Sequence, residues 1–239
     1  MRFHMTSDAL LVFVRVPKTG RVKTRLAGTV GPKQACRLYR LFVEDLLAGL
    51  SMDQYDTVIC YDPPDGKEEI ASWLGSAFDY QAQQGSSLGE KMAHAFAWAF
   101  AQGSARTVLI GSDIPDLNAA VIEQAFAGLN THESVMGPTV DGGYYLIGFS
   151  AAAFCPQVFR SMPWGTPRVF HDTMNVLKAE KLSVRVLSLF RDIDRIEDLA
   201  DLLERARRKP ELNNLNTLRY LIENPELLEV KEKKDCNIK

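Results

Sequence analysis

The chain has few cysteines and no pattern among them: Cys36, Cys60, Cys155 and Cys236 lie far apart, with no C-x-x-C pair. That spacing argues against a zinc site and for reduced thiols. The four histidines are equally dispersed. Charge of either sign is not in excess: 28 Lys and Arg face 30 Asp and Glu, a formal net charge of -2. A nucleic-acid binder draws most of its affinity from neutralising phosphates, so no nucleic-acid partner is expected. Long apolar runs are missing too. Ala9 to Val14 is only six residues, against the roughly 18 that a spanning helix needs, so no membrane span is expected. Met1 to Asp8 has neither an apolar core nor a small-residue cleavage site, so no secretory leader is expected and the cytoplasm is the expected compartment. Neither G-x-x-x-x-G-K-[ST] nor G-x-G-x-x-G occurs. This counts against a P-loop hydrolase and a nicotinamide dehydrogenase. No G-x-S-x-G surrounds Ser7, Ser112 or Ser188, so serine-hydrolase chemistry is not expected.

What is present is core material: 239 residues, 46% hydrophobic, enough for one large domain or two small ones. Leu10 to Val16 is a β-rich apolar run ending at Pro17 and reads as a buried first strand. A basic loop follows. From Pro32, the residues Ala35, Leu38, Leu41, Phe42, Asp45, Leu46 and Gly49 recur at helical spacing. Asp56 to Tyr61 is a strand stopped by Asp62-Pro63-Pro64-Asp65-Gly66, and Lys67 to Leu74 a short helix. Phe78 to Gln83 reads as another strand; Ser87 with Glu90 forms a capping box for a helix that Gly103 closes. Thr107 to Gly111 is the clearest buried strand, followed by a helix over Asn118 to Leu129. Ser134 to Phe149 forms a β-rich insertion; then come a helix over Val169 to Glu180, a strand over Ser183 to Leu189 and an amphipathic helix over Ile196 to Lys209. Alternating strands and helices imply an α/β fold, a mostly parallel sheet covered on both faces. The expected domain spans residues 9–209, with a C-terminal helical extension and charged tail over 210–239. Periodicity does not decide whether the last helix packs on its own core or on a partner.

Five segments are suited to chemistry. The loop after the first strand puts Lys18, Arg21, Lys23 and Arg25 within eight residues, together with Gly20. Cations at a strand's carboxyl edge, with a glycine that lets backbone amides approach, suit a phosphate; a solvated basic loop is the alternative. Thr107 to Gly111 delivers Ser112 and Asp113 to a strand's carboxyl end, where ligands bind in open α/β sheets. Asp113 is a hard-oxygen ligand of the kind Mg²⁺ or Mn²⁺ takes beside a diphosphate. Asp192 and Asp194 are both candidates for a second carboxylate, with a helix cap as the alternative for Asp194. Asp141-Gly142-Gly143-Tyr144-Tyr145 combines an acid, two permissive residues and two rings, suited to an acceptor pocket or to a tight hairpin. Trp164 and Thr166 lie on a rigid loop flanked by Pro163 and Pro167 that is placed to close on a ligand.

The ordered set Pro17-Lys18-x-Gly20-x-x-Lys23-Thr24-Arg25-Leu26, Leu88-Gly89-Glu90-Lys91-Met92, Gly111-Ser112-Asp113-Ile114-Pro115, Gly137-Pro138-x-x-Asp141-Gly142-Gly143-Tyr144-Tyr145-Leu146-Ile147-Gly148, Trp164-Gly165-Thr166 and Asp192-Ile193-Asp194 spans nearly the whole chain. It resembles an uncharacterised bacterial glycosyltransferase-like family with the GT-A, nucleotide-diphospho-sugar transferase fold, some of whose members are linked to arsenosugar biosynthesis. The Lys-Thr-Arg-Leu element is also similar to that of the 2-phospho-lactate guanylyltransferases. The resemblance implies a nucleotide over the first strand, its phosphates near Lys18, Gly20, Arg21, Lys23, Arg25 and Ser112, with Asp113 and Asp194 as ligands of Mg²⁺ or Mn²⁺. The chain departs from many glycosyltransferases of the fold in reading Ser112-Asp113-Ile114 where they carry an acid-x-acid triplet.

The expected activity is therefore glycosyl transfer from a nucleotide-diphospho-sugar to a small acceptor. Asp113 and Asp141 serve as its catalytic groups, and Gly142, Gly143, Tyr144, Trp164 and Thr166 line the acceptor pocket. The alternatives are nucleotidyl transfer from a nucleoside triphosphate to a phosphorylated small molecule, with release of pyrophosphate, and a catalytically silent nucleotide-binding module.

Overall fold

The computed structural model describes residues 8–50 and 54–228. Expectations for the leader region, the charged tail and Cys236 fall outside them. The sheet is built from β1 (Asp8–Arg15), β2 (Asp56–Asp62), β3 (Asp79–Ala82), β4 (Arg106–Ile110), β5 (Ser134–Pro138), β6 (Tyr144–Ser150) and β7 (Val184–Val186). Its strand order is β3-β2-β1-β4-β6-β5-β7. β1 pairs in parallel with β2 and β4, β2 with β3, and β5 with β7, while β6 runs antiparallel between β4 and β5. The β-rich segment Ser134 to Phe149 is thus built into the main sheet. The chain steps outward from β1 to β3, then returns to lay β4 on the other side of β1. That reversal opens a crevice beyond the carboxyl ends of β1 and β4.

The helices are α1 (Thr24–Val30), α2 (Pro32–Ala48), α3 (Lys67–Leu74), α4 (Leu88–Ala101), α5 (Ala119–Gly128), α6 (Val169–Ala179), α7 (Ile196–Arg208) and α8 (Asn216–Glu223). Strand alternation splits the core in two. Leu10, Val12 and Val14 of β1 pack with residues of α2, α3 and α5, while Ala9 and Leu11 pack with α4 and α6. The second layer is aromatic at its centre, where Phe96 sits edge-on to Phe149 at 5.3 Å and stacks with Phe154 at 5.5 Å.

The opposite face of α2, through Leu38 and Phe42, joins Leu26 of α1, Leu199 and Leu202 of α7 and Leu218 and Leu221 of α8 in a third cluster. The last two helices therefore pack on the chain's own core. Asp45, an interruption in the apolar stripe of α2, is buried and accepts hydrogen bonds from the amides of Asn216 and Thr217, both at 2.8 Å.

Two elements differ from the sequence reading. The basic loop ends at Lys23, and Thr24–Val30 is already helical because burial of Leu26 in the third cluster holds that turn against α2. The expected strand Ser183 to Leu189 keeps a regular ladder only over Val184–Val186. Beyond it the chain still tracks β5 through single contacts, Leu187 N–H to Met136 O and Phe190 N–H to Pro138 O. Among the described residues, no helix is long and apolar enough to cross a membrane.

Candidate active site

The crevice holds a cleft of about 650 Å³ lined by the carboxyl ends of β1, β2 and β4 and by the segments around Ser87, Asp141, Trp164 and Asp194. Its floor is an ionic cluster. The ammonium of Lys23 lies 2.7 Å from Asp113 Oδ1 and 2.9 Å from Asp194 Oδ1, and Arg25 Nη1 lies 3.1 Å from Asp194 Oδ2. The Lys23 side chain is only 4% exposed, against 46% for Asp113 and 33% for Asp194. Burial alone depresses a lysine pKa; here Asp113 and Asp194 outweigh it and hold Lys23 well above the usual lysine range. Burial likewise pushes Asp194 up, but Lys23 and Arg25 prevail and keep its carboxyl below the ordinary value.

Each member reaches the floor by its own route. Lys23 precedes α1 with φ 47° and ψ 48°, a left-handed conformation uncommon for a residue with a Cβ. Asp113 leaves β4, and its carbonyl accepts from the Ile193 amide at 3.0 Å, which ties the β4 end to the segment carrying Asp194. Asp192, beside them, has its carboxyl pushed up to about 6 by burial and by the neighbouring Asp141 and Asp194.

Ser112 is buried, its hydroxyl 3.2 Å from that of Tyr39. The Tyr39 oxygen accepts from the Arg15 amide at 2.7 Å and so joins the ends of β1 and β4. Burial, with Asp113 nearby, pushes the Tyr39 phenol up to about 12.

A second ionic group stands at the β2 end. Lys91 Nζ lies 2.7 Å and Arg15 Nε 3.8 Å from the two oxygens of Asp62. Beside it, Gln83 donates to Cys60 O at 2.7 Å.

On the other side, Asp141 Oδ1 accepts from Thr139 Oγ1 at 2.6 Å and from the Gly143 amide at 3.0 Å. Both bonds fall on one oxygen. Gly142 has φ +88°, and a Cβ there would stand 2.2 Å from Pro167 O. Its carbonyl accepts from the Phe170 amide at 2.9 Å, so this hairpin carries the Trp164 loop directly against it. The Tyr144 and Trp164 rings meet edge to face at 6.2 Å. The same loop presses on α4, where a Cβ on Gly89 would stand 2.2 Å from Phe159 O and 3.1 Å from Trp164 Nε1.

Of the residues expected from sequence, Lys23, Arg25, Ser112, Asp113, Asp141, Gly143, Tyr144, Trp164, Thr166 and Asp194 line this one cleft. Lys18, Gly20, Arg21 and Gly142 lie outside its walls. The turn closed by Arg21 N–H to Lys18 O, with Gly20 at φ +78°, carries Lys18 toward Glu69, 3.6 Å away. Tyr39, Asp62 and Lys91 also line the cleft, beyond the residues expected from sequence. Asp62 was legible by the argument that singled out Asp113, a carboxylate at a strand's carboxyl end. Lys91 stood inside the Leu-Gly-Glu-Lys-Met string without a role. Tyr39 falls at core spacing on α2, where no local signal separates it from its apolar neighbours.

The donor chemistry of the floor suits a divalent cation. Two hard-oxygen carboxylates from separate elements converge on one point, where each pairs with the Lys23 ammonium. Among the described residues no group of three or more His, Cys, Asp or Glu is placed to hold a metal. Mg²⁺ commonly takes one or two protein carboxylates and completes its shell with substrate phosphates and water.

The chain has the fold of a nucleotide-diphospho-sugar transferase, here with a mostly parallel sheet and a charged cleft at its switch point. The chain belongs to the family described as uncharacterised proteins conserved in bacteria, DUF2064, whose profile matches residues 46–166. A solved structure from Desulfovibrio desulfuricans G20, provisionally described as a nucleotide-diphospho-sugar transferase, is 40% identical, with a TM-score of 0.90 over 94% of this chain and 97% of that one. The 4-diphosphocytidyl-2C-methyl-D-erythritol synthase of Anaerococcus prevotii DSM 20548 has 10% identity and a TM-score of 0.55, covering 90% of this chain and 96% of its own. A cytidylyltransferase from Leptospira borgpetersenii has 16% identity and a TM-score of 0.50, covering 94% and 97%. These last two share the fold. No curated protein matches the chain.

Proposed function

We propose that the protein is a glycosyltransferase that moves a sugar from a nucleotide-diphospho-sugar to a small acceptor. The observation that carries this reading is the juxtaposition of Lys23 and Arg25 with Asp113 and Asp194 on the floor of a cleft at the β1/β4 switch point. In this reading the nucleotide lies over β1, its diphosphate at Lys23 and Arg25. Mg²⁺ or Mn²⁺, held by Asp113 and Asp194, would supply Lewis-acid stabilisation of the departing diphosphate. The chain's cations act on the same charge: Lys23 and Arg25 are at hand on the floor where negative charge grows as the anomeric C–O bond to the diphosphate breaks. With one Asp141 oxygen pinned by Thr139 and Gly143, the other is left to orient the acceptor hydroxyl and take its proton as the new C–O bond forms. Tyr144 and Trp164 offer ring surface to the sugar or the acceptor. The widely separated, buried free thiols of Cys36, Cys60 and Cys155 suit a reducing cytoplasm.

The second reading is nucleotidyl transfer, favoured by the fold shared with the two cytidylyl-chemistry enzymes. The same cations would then grip a triphosphate. A thermal-shift screen of nucleoside diphosphates, triphosphates and nucleotide-sugars, each with and without Mg²⁺ or Mn²⁺, separates the readings, since binding raises stability by mass action. A metal-dependent shift with one nucleotide-sugar or its diphosphate, followed by release of that diphosphate on turnover, supports glycosyl transfer. A shift confined to triphosphates, with release of pyrophosphate, supports the second reading. No shift with any of them overturns both.

A further inference from the structure

Resting on the reading of the cleft as a nucleotide site, we propose that Lys23 is a gate for the metal. Its ammonium closes the Asp113/Asp194 pair to divalent ions until a nucleotide's diphosphate draws it away, so that metal enters with the nucleotide or after it. The geometry is specific. The ammonium bonds the Oδ1 atom of both carboxylates, at 2.7 and 2.9 Å, and so occupies their point of convergence. It is buried, and the Phe42 ring lies under it at 5.9 Å. The second oxygen of Asp194 is taken by Arg25. Lys23 and Arg25 thus balance the charge of Asp113 and Asp194 without a metal. A divalent ion approaching this pair meets a fixed cation at the coordinating position and finds few protein oxygens to replace its water.

A diphosphate changes both conditions. Its oxygens offer the ammonium a new anionic partner within reach of the same floor, and they add the ligands that two carboxylates do not provide. Metal and nucleotide are then coupled, and the coupling is reciprocal: each raises the other's affinity by the same factor. The left-handed backbone at Lys23 (φ 47°) marks the residue as held in an uncommon conformation by its surroundings.

Mn²⁺ binding, read from the electron paramagnetic resonance signal of the free ion, tests this without turnover. In the absence of nucleotide, Lys23→Met is expected to bind Mn²⁺ at least tenfold more tightly than the wild type, and adding Asp113→Asn to that variant to abolish the gain. Equal Mn²⁺ affinity in wild type and Lys23→Met, or a gain that survives Asp113→Asn, overturns the gate. Should Lys23→Met fail to fold, the wild type decides alone. Water-proton relaxation with Mn²⁺ is expected to show a bound ion only when ADP, CDP, GDP or UDP is also bound; Mn²⁺ held equally tightly by the nucleotide-free protein overturns the proposal. If no nucleotide binds, the transferase reading falls, whereas the comparison of wild type with Lys23→Met still decides whether Lys23 closes the carboxylate pair.

Discussion

The Asp45 carboxylate, on the inward side of α2, accepts a hydrogen bond from the amide of Thr217 at 2.8 Å, while its other oxygen takes both the amide and the side-chain nitrogen of Asn216. A residue of α2 thereby caps α8, whose own N-terminal flanking residue, Leu215, offers no side-chain oxygen. Asp45→Ala leaves the buried Thr217 amide without its acceptor, while the exposed Asn216 donors turn to water, and the expected loss is about 2 kcal/mol. Chemical denaturation measures it. A change below about 0.5 kcal/mol would show that the cap contributes little.

Gly142 lies where a side chain has no room, with Pro167 O 2.2 Å from the Cβ position and φ at +88°. Gly142→Ala should therefore displace the loop bearing Trp164, beyond the roughly 1–2 kcal/mol that a left-handed alanine costs. A lowered melting temperature with a changed near-ultraviolet circular dichroism signal is expected. A signal identical to wild type would disconnect this hairpin from the Trp164 loop.

Asp113 is 46% exposed, so it serves the floor of the cleft more than the core. Asp113→Asn is expected to cut turnover roughly a hundredfold or more, on the order of 3 kcal/mol in the barrier, while the protein stays folded with a lowered melting temperature, because the buried Lys23 keeps Asp194 as its partner. Full activity in this variant removes Asp113 from the chemistry. Loss of fold instead of rate would mark it as structural.

Asp192 has its carboxyl raised from 3.8 to about 6 by burial and by Asp141 and Asp194. The folded protein then holds this proton more tightly than the unfolded chain, so the effect is absent below the unfolded value, grows as pH rises toward 6 and weakens the fold fully above it. Asp192→Asn removes that penalty. In chelator-treated protein, the melting temperature of the variant minus that of wild type should increase from pH 4 to pH 7; a flat difference would contradict the raised carboxyl.

Most strands and helices were legible because each carries its own period. β1 and β4 are continuous apolar runs, as doubly covered strands must be, and Pro32 and Gly49 bracket α2. The α4 cap was legible in half. Ser87 does accept from the Glu90 amide, but the Glu90 carboxylate turns to the amide and hydroxyl of Ser86. Helix α1 was hidden because its seven residues are too few to show a period, and contact with α2 and α7 stabilises it.

The amino-acid order by itself determined which residues stand at strand ends: the cations after β1, Asp113 after β4 and the Asp141 turn before β6. Local chemistry and periodicity suffice for that. Only the tertiary structure decided their partners. Lys23 meets Asp194 across 171 positions of sequence, and Asp45 reaches Thr217 across 172. The sheet order that puts β4 beside β1 likewise follows from long-range packing. A side chain's charge is written in the sequence. The burial that makes an ammonium the partner of two carboxylates exists only once distant segments have excluded water between them.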